Sequence, residues 1–222
     1  MHRFFCPHAD LKKSEVSLND PHEIHHLKNV LRLKINDPIR LFNNRGDEMT
    51  GTIFAIAPQK VQVHRDTLLP PLLQRNPLII LGCAIPKKSK FEFIVEKCTE
   101  LGADEIFPLK TQRTEISVKG EHSERKKNRY LTVAVNAAKQ SGRRFIPVIH
   151  PVADFPDFLN HKLTREDLGL IACLSGERSN FSEVLSRGKS KGLKRIIFLI
   201  GPEGDFTPQE VRLAQDSGFL AI

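Results

Sequence analysis

The chain has 222 residues, 40% of them hydrophobic, which is enough for a proper core and for two small domains of the usual size. No apolar run approaches the roughly 18–20 residues of a membrane span. Pro7, His8, Asp10, Lys12 and Lys13 interrupt the N-terminus where a signal core would have to continue, so a cytoplasmic protein is expected. The net charge of +8 is uneven: residues 86–147 hold 14 Lys and Arg against 8 Asp and Glu, whereas residues 148–222 hold 9 against 10, and a basic stretch of this kind suits a polyanionic partner.

In chain order, Asp20-Pro21-His22-Glu23 opens the first helix. Asp20 can cap it, Pro21 fits its first position, and Glu23 can reach back to the cap amide. Ile24, Leu27, Val30 and Leu31 then share one helical face. His22, His25 and His26 lie on the same helix, but no carboxylate or cysteine set accompanies them, so a polar surface is the better reading than a metal site. Short β-like runs follow at 39–42, 50–56 and 61–64, separated by Asn43-Asn44-Arg45-Gly46 and Pro58, which suggests a small barrel or open sheet. Pro70, Pro71 and Pro77 stiffen a linker. The boundary is placed here, giving a β-rich domain at 1–72 and a second domain at 73–222.

The second domain alternates strand and helix. Strands are expected at 78–85, 105–109, 168–174 and 195–200, and helices at about 91–101, 123–140 and 181–186. A last helix starts at Thr207-Pro208-Gln209-Glu210, a capping box with proline in first place. Such alternation predicts an α/β fold with a parallel sheet covered by helices. Cys6, Cys83, Cys98 and Cys173 are scattered with no C-x-x-C pair, which points to buried free thiols rather than zinc.

Three strings carry chemistry. Ile200-Gly201-Pro202-Glu203-Gly204 directly follows a buried strand, where open parallel sheets bind ligands, and its glycines permit close approach of the backbone. It is neither a dinucleotide fingerprint nor a Walker loop. Gln140-Ser141-Gly142-Arg143-Arg144 ends a helix with two arginines suited to phosphate. Pro86-Lys87-Lys88-Ser89-Lys90 places lysines at another strand end, ahead of Glu96-Lys97-Cys98-Thr99-Glu100-Leu101-Gly102.

Together with His25-His26-Leu27 and Val30-Leu31-Arg32, these strings resemble, in order and over nearly the whole chain, the RsmE-type 16S ribosomal RNA uridine-N3 methyltransferases of the trefoil-knot (SPOUT) superfamily. The resemblance implies a parallel-sheet SPOUT methyltransferase domain preceded by a small PUA-like β-barrel domain. It implies S-adenosylmethionine as methyl donor, 16S rRNA in the small ribosomal subunit as substrate, a homodimer and no metal. Leu174, Ile200, Gly201, Pro202, Glu203 and Gly204 are the expected cofactor residues. Arg143 is expected to steady the uracil oxygens or a phosphate. Glu203 is the carboxylate placed to act as base or, equally, to satisfy loop amides. Arg32, Lys88, Arg113 and Arg143 are the expected RNA contacts. The rival readings are methylation of another RNA, such as tRNA or a ribose 2′-hydroxyl, and a non-catalytic rRNA-binding protein.

Two departures from the family pattern stand out. Asp205 occupies a position where the family usually has glycine. The family also continues past the last helix with L-G-x-R-I-L-R-x-E-T-A, whereas this sequence ends at Gly218-Phe219-Leu220-Ala221-Ile222. A truncated chain, lacking one side of its cofactor pocket and catalysing poorly, is therefore expected.

Overall fold

The computed structural model describes residues 1–87, 90–114, 121–160, 163–174, 176–189 and 192–222. The chain packs as two units, the first made of residues 1–74 with 135–146, the second of 75–134 with 147–222.

The first unit is built on a five-stranded sheet. Its strands are β1 (His2–Phe5), β2 (Glu15–Leu18), β3 (Pro38–Phe42), β4 (Glu48–Ala57) and β5 (Lys60–Leu68), in the order β1-β3-β4-β5-β2. β1 runs parallel to β3 and the other pairs are antiparallel. Residues alternate as a half-buried sheet requires: Ile39, Leu41, Ile53, Val61 and Val63 are fully buried, while Arg40, Gln62 and His64 face outward. Phe4, Leu11, Val16, Leu18, Ile24 and Leu27 complete this core. Each such side chain contributes roughly 1.5–3 kcal/mol by leaving water. Gly51 sits at a bulge of β4, where a Cβ would fall 2.4 Å from the His64 carbonyl oxygen, so no larger residue fits without shifting β5.

The first helix departs from the expected one in two ways. Helix α1 (Pro21–His25) is capped by Asp20, whose carboxylate accepts the Glu23 amide at 2.9 Å. Glu23 does not reach back. Its two carboxylate oxygens each take Lys139 Nζ at 2.9 Å, in a pair whose side chains are both 9% exposed. Residues His26–Val30 then form a π turn, with Leu31 N–H donating to the His26 carbonyl at 2.9 Å. The wider turn rotates the face. Leu27 is fully buried, but Val30 is 62% exposed instead of joining the core.

The 135–146 segment contributes the end of helix α3 (Glu121–Ser141), which stops at Gly142 with φ +76°. Arg3 donates to the Ala138 carbonyl at 2.7 Å, which also accepts the Arg143 amide, and to the Arg143 carbonyl at 3.1 Å, so it ties the helix end to the residues just past it. Its Nε also reaches the buried Glu48 at 3.0 Å, and Arg144 Nε takes the other oxygen of Glu48 at 2.8 Å. Arg144 further donates to the Gly46 and Pro70 carbonyls. Arg144 is therefore spent on structure, and the expected pair of phosphate-binding arginines is reduced to Arg143.

The second unit bears out the parallel α/β reading. β6 (Leu78–Ala84), β7 (Glu105–Lys110), β8 (Val148–Ile149), β10 (Asp167–Ala172), β11 (Arg195–Ile200) and β12 (Leu220–Ala221) follow the order β12-β10-β11-β6-β7-β8, and β9 (Ala153–Asp154) pairs with β7. All these pairings are parallel. Helices α2 (Lys90–Leu101), α4 (Phe155–Leu159), α5 (Phe181–Lys189) and α6 (Pro208–Asp216) connect them. Leu109, Phe155, Ile171, Leu199 and Phe206 centre one apolar cluster, and Leu168, Leu170, Val184 and Ile196 another. Cys6, Cys83 and Cys173 are buried and outside any disulfide, as expected, whereas Cys98 is only half-buried; burial pushes Cys83 up to about 12. Among the described residues no helix is long and apolar enough to cross a membrane. Because the strands are parallel, the loops after β6, β7, β10 and β11 all emerge at one edge of the sheet.

Candidate functional site

That carboxyl edge gathers the expected loop residues. β11 ends at Ile200, and Gly201-Pro202-Glu203-Gly204-Asp205 turns before α6. Gly201 is closely packed: a Cβ there would sit 3.1 Å from both the amide nitrogen and a ring carbon of Phe206, so a larger residue would need Phe206 to give by a few tenths of an ångström. Phe206 is itself 1% exposed and packs against Phe155, so it pins the loop to the core. Within the turn, Asp205 N–H donates to the Pro202 carbonyl at 2.9 Å. Asp205 has φ +64°, the left-handed region where a glycine would be at ease.

Three neighbouring loops hold this turn. From the β6 end, Lys87 N–H donates to Glu203 Oε1 at 3.3 Å, and Lys90 Nζ lies 4.0 Å from the same oxygen. From the β7 end, Arg113 Nη1 donates to the Gly204 carbonyl. From the β10 end, Leu174 N–H donates to Asp205 Oδ2 at 2.9 Å. Leu174 is 80% exposed and Ile200 is exposed too, so two apolar groups stand at adjacent strand ends. An exposed large aliphatic group at a strand end, beside main-chain polar groups, is a surface suited to a planar heterocycle.

Beneath the turn, α6 fixes the approach. The expected capping box is complete: Thr207 Oγ1 accepts the Glu210 amide at 3.3 Å and Glu210 Oε2 accepts the Thr207 amide at 2.9 Å. Glu210 does more than the box requires. Its Oε1 accepts the Gln112 amide at 2.8 Å, so one buried carboxylate ties the loop after β7 to the start of α6. The capping string announced the first role, and nothing local announced the second, because Gln112 and Glu210 are 98 residues apart.

Leu174, Ile200, Gly201, Pro202, Glu203 and Gly204 are thus brought together, and Arg113 joins them as a hydrogen-bond donor to the loop. Arg32 and Arg143 belong to the first unit. Arg32 is exposed, with φ +53° just past the π turn. Arg143 is half-buried, its amide donating to Ala138 and its carbonyl accepting from Arg3. Lys88 lies outside the described residues, although its neighbours Lys87 and Lys90 both meet Glu203.

Comparison with known proteins gives this arrangement a context. Residues 74–222 match the model of an RNA methyltransferase domain, and residues 18–64 that of an RNA methyltransferase PUA domain. A ribosomal RNA small subunit methyltransferase E of Synechocystis is 31% identical over 204 residues, 90% of this chain and 63% of that protein. The protein of the same name from Bacillus subtilis is 29% identical over 205 residues, 88% of this chain and 77% of its own length. The chain therefore spans somewhat less than two thirds of the first relative and about three quarters of the second. Among solved structures, a putative methyltransferase of Legionella pneumophila in complex with the cofactor SAM superposes with a TM-score of 0.84 at 26% identity, over 99% of this chain and 87% of that one. A small subunit methyltransferase E of Neisseria gonorrhoeae shares the fold with a TM-score of 0.85 at 24% identity, over 100% and 88%.

Proposed function

The chain belongs to the RNA methyltransferase family, and on that premise we propose that it transfers a methyl group from S-adenosylmethionine to N3 of a uridine in 16S rRNA of the small ribosomal subunit. The observation that carries this reading is the convergence of Leu174, Ile200–Gly204 and Arg113 at the carboxyl edge of the parallel sheet, in the order and chemistry of the matched strings. The residues present fit the cofactor: the exposed Leu174 and Ile200 offer apolar surface to an adenine ring, beside the main-chain groups of the Gly201–Gly204 turn. When bound, the cofactor supplies a methyl group on a positively charged sulfur, which any nearby nucleophile of sufficient basicity can accept.

This chain's own residues would do the rest. Uracil N3 carries a proton that has to leave as the methyl group arrives, and Glu203 is the proposed acceptor, oriented at Oε1 by the Lys87 amide and Lys90. Arg143 is proposed to meet the negative charge that develops on the uracil oxygens, or to hold the adjoining phosphate. Arg32, Lys88 and Arg113 are the proposed further RNA contacts. Residues 1–72 serve as the RNA-binding domain and 73–222 as the methyl-transfer domain of a cytoplasmic homodimer in this reading.

The test is to incubate the protein with isotopically labelled S-adenosylmethionine and small ribosomal subunits from cells lacking the enzyme, then map the label. Labelled N3-methyluridine in 16S rRNA is the expected result. Label in tRNA or on a ribose would redirect the assignment to a different RNA, and binding of RNA without methyl transfer would replace the enzyme by a binding protein.

A further inference from the structure

We infer that Asp205 is a positioning residue: its carboxylate clamps the loop after β10 to the loop after β11 and so presets the spacing of Leu174 and Ile200 for S-adenosylmethionine. The inference rests on the reading of this edge as the cofactor site.

Every polar group of Asp205 named so far is engaged in holding the two loops. Its amide closes the turn onto the Pro202 carbonyl at 2.9 Å, and its side chain takes the Leu174 amide at 2.9 Å. The backbone at φ +64° is one that an L residue rarely adopts, and aspartate and asparagine enter it more readily than other non-glycine residues. A glycine would sit there without strain. It would also bring no acceptor across to β10. Aspartate accepts an awkward backbone and gains a link between two strand ends, a combination that persists where surrounding contacts fix it.

The link has an evident target. The turn is held from the β6 side at Glu203 and from the β7 side at Gly204, so its remaining side faces β10. Leu174 lies just beyond β10 with its side chain 80% exposed, so burial of that side chain does little to fix its place. The bond from its amide to Asp205 supplies that fixing. The same bond takes up the Leu174 amide, leaving the carbonyl and the exposed side chain as this residue's offering to the ligand. A clamp that sets the gap in advance lowers the ordering cost of binding and acts on any ligand that fills it.

A charge effect makes a different prediction. A carboxylate that acted on the sulfonium would favour S-adenosylmethionine over its neutral demethylated product, S-adenosylhomocysteine, whereas a clamp serves both alike. Asp205→Asn separates the two, because the amide oxygen can still accept the Leu174 N–H while the charge is gone.

The experiment titrates both ligands calorimetrically into the wild-type chain and into Asp205→Asn, Asp205→Gly and Asp205→Ala, and follows hydrogen exchange at the Leu174 amide in the ligand-free proteins. Asp205→Gly and Asp205→Ala should bind both ligands more weakly by a similar factor, on the order of tenfold for a lost bond to a charged acceptor. Their Leu174 amide should exchange faster. Asp205→Asn should resemble the wild type in both respects. If Asp205→Ala does not fold, Asp205→Gly, which relieves the backbone, carries the test. Unchanged binding and unchanged Leu174 exchange in Asp205→Gly would overturn the clamp, as would an Asp205→Asn protein that loses S-adenosylmethionine but keeps S-adenosylhomocysteine. A wild-type chain that binds neither ligand would overturn the reading of the edge and this inference with it, and that outcome is visible before any substitution is made.

Discussion

Asp167, at the foot of β10, carries four donors on a carboxylate that is 1% exposed: Arg195 through Nε at 2.7 Å and Nη2 at 2.5 Å, and Thr164 through its amide at 2.7 Å and hydroxyl at 2.8 Å. The Arg195 guanidinium holds the acid down to about 2, against the opposing pull of burial. A carboxylate depressed in the folded state stabilises the fold above its unfolded value, near 4, and loses that contribution as pH falls toward 2. A shift of this size corresponds to about 2 kcal/mol. Asp167→Asn should therefore be less stable than the wild type by about that much at pH 7, with the gap closing between roughly pH 4 and 2. Urea unfolding midpoints across that range measure it, and a gap independent of pH would show that Arg195 is not the cause. Glu203 offers a second test on one side chain. Glu203→Gln keeps an oxygen for the Lys87 amide but removes the basic group, so turnover should fall by roughly 10²–10⁴-fold while cofactor affinity stays nearly unchanged. A weakened affinity with normal turnover would mean that Glu203 only holds the loop.

The π turn after α1 has a measurable consequence for the element it ends. Leu27→Ala should cost roughly 2–5 kcal/mol, because Leu27 is fully buried in the first unit's core. Val30→Asp should change stability by no more than about 0.5 kcal/mol, because the turn has moved Val30 out to solvent. Thermal unfolding of the two variants decides, and a large loss from Val30→Asp would restore the regular helix. The sequence alone misplaces Val30 because apolar spacing assumes 3.6 residues per turn, and no local signal marks the extra residue of an i→i+5 bond. Elements whose causes are local were legible: the β6, β7, β10 and β11 runs, the Asp20 cap, and the Thr207–Glu210 box. Two-residue strands such as β8 and β9 show no period to read, and β1 and β2 exist because β3 and β5 give them edges to pair with. The edge residues could be named from the order of motifs. Their ties could not, since Arg113 meets Gly204 and Leu174 meets Asp205 across 91 and 31 residues. Asp205 was legible as an oddity, but only its φ and its bond to Leu174 show its role.

For the molecule as a whole, the formal charge of +8 overstates the number of cations that can meet RNA. In the 86–147 stretch, Lys97 lies between Glu96 and Glu100, Arg129 pairs with Glu92, Lys139 is buried against Glu23, and Arg144 is held by Glu48. Exposure rather than charge count therefore bears on the contacts, and Arg32 is exposed, as are Lys12, Lys13, Lys34 and Lys60 of the first unit. If phosphates are its partners, each contact releases condensed counterions, and the logarithm of the binding constant falls with the logarithm of salt by roughly 0.7–0.9 per phosphate. Arg32→Ala and Arg143→Ala should each weaken binding of a 16S rRNA fragment and flatten this slope by about one contact's worth, with the fold intact. Arg144→Ala should behave differently. It leaves buried Glu48 short of one partner and the Gly46 and Pro70 carbonyls short of a donor, at a cost of roughly 1–3 kcal/mol. Its loss should appear in thermal stability, with the salt slope of the folded protein unchanged. Filter binding over roughly 50–200 mM salt, beside thermal unfolding of the same samples, separates the classes. Slopes for Arg32→Ala and Arg143→Ala that match the wild type would remove both from the RNA-binding face. A flattened slope for Arg144→Ala would show that the guanidinium committed to Glu48 here reaches the nucleic acid after all.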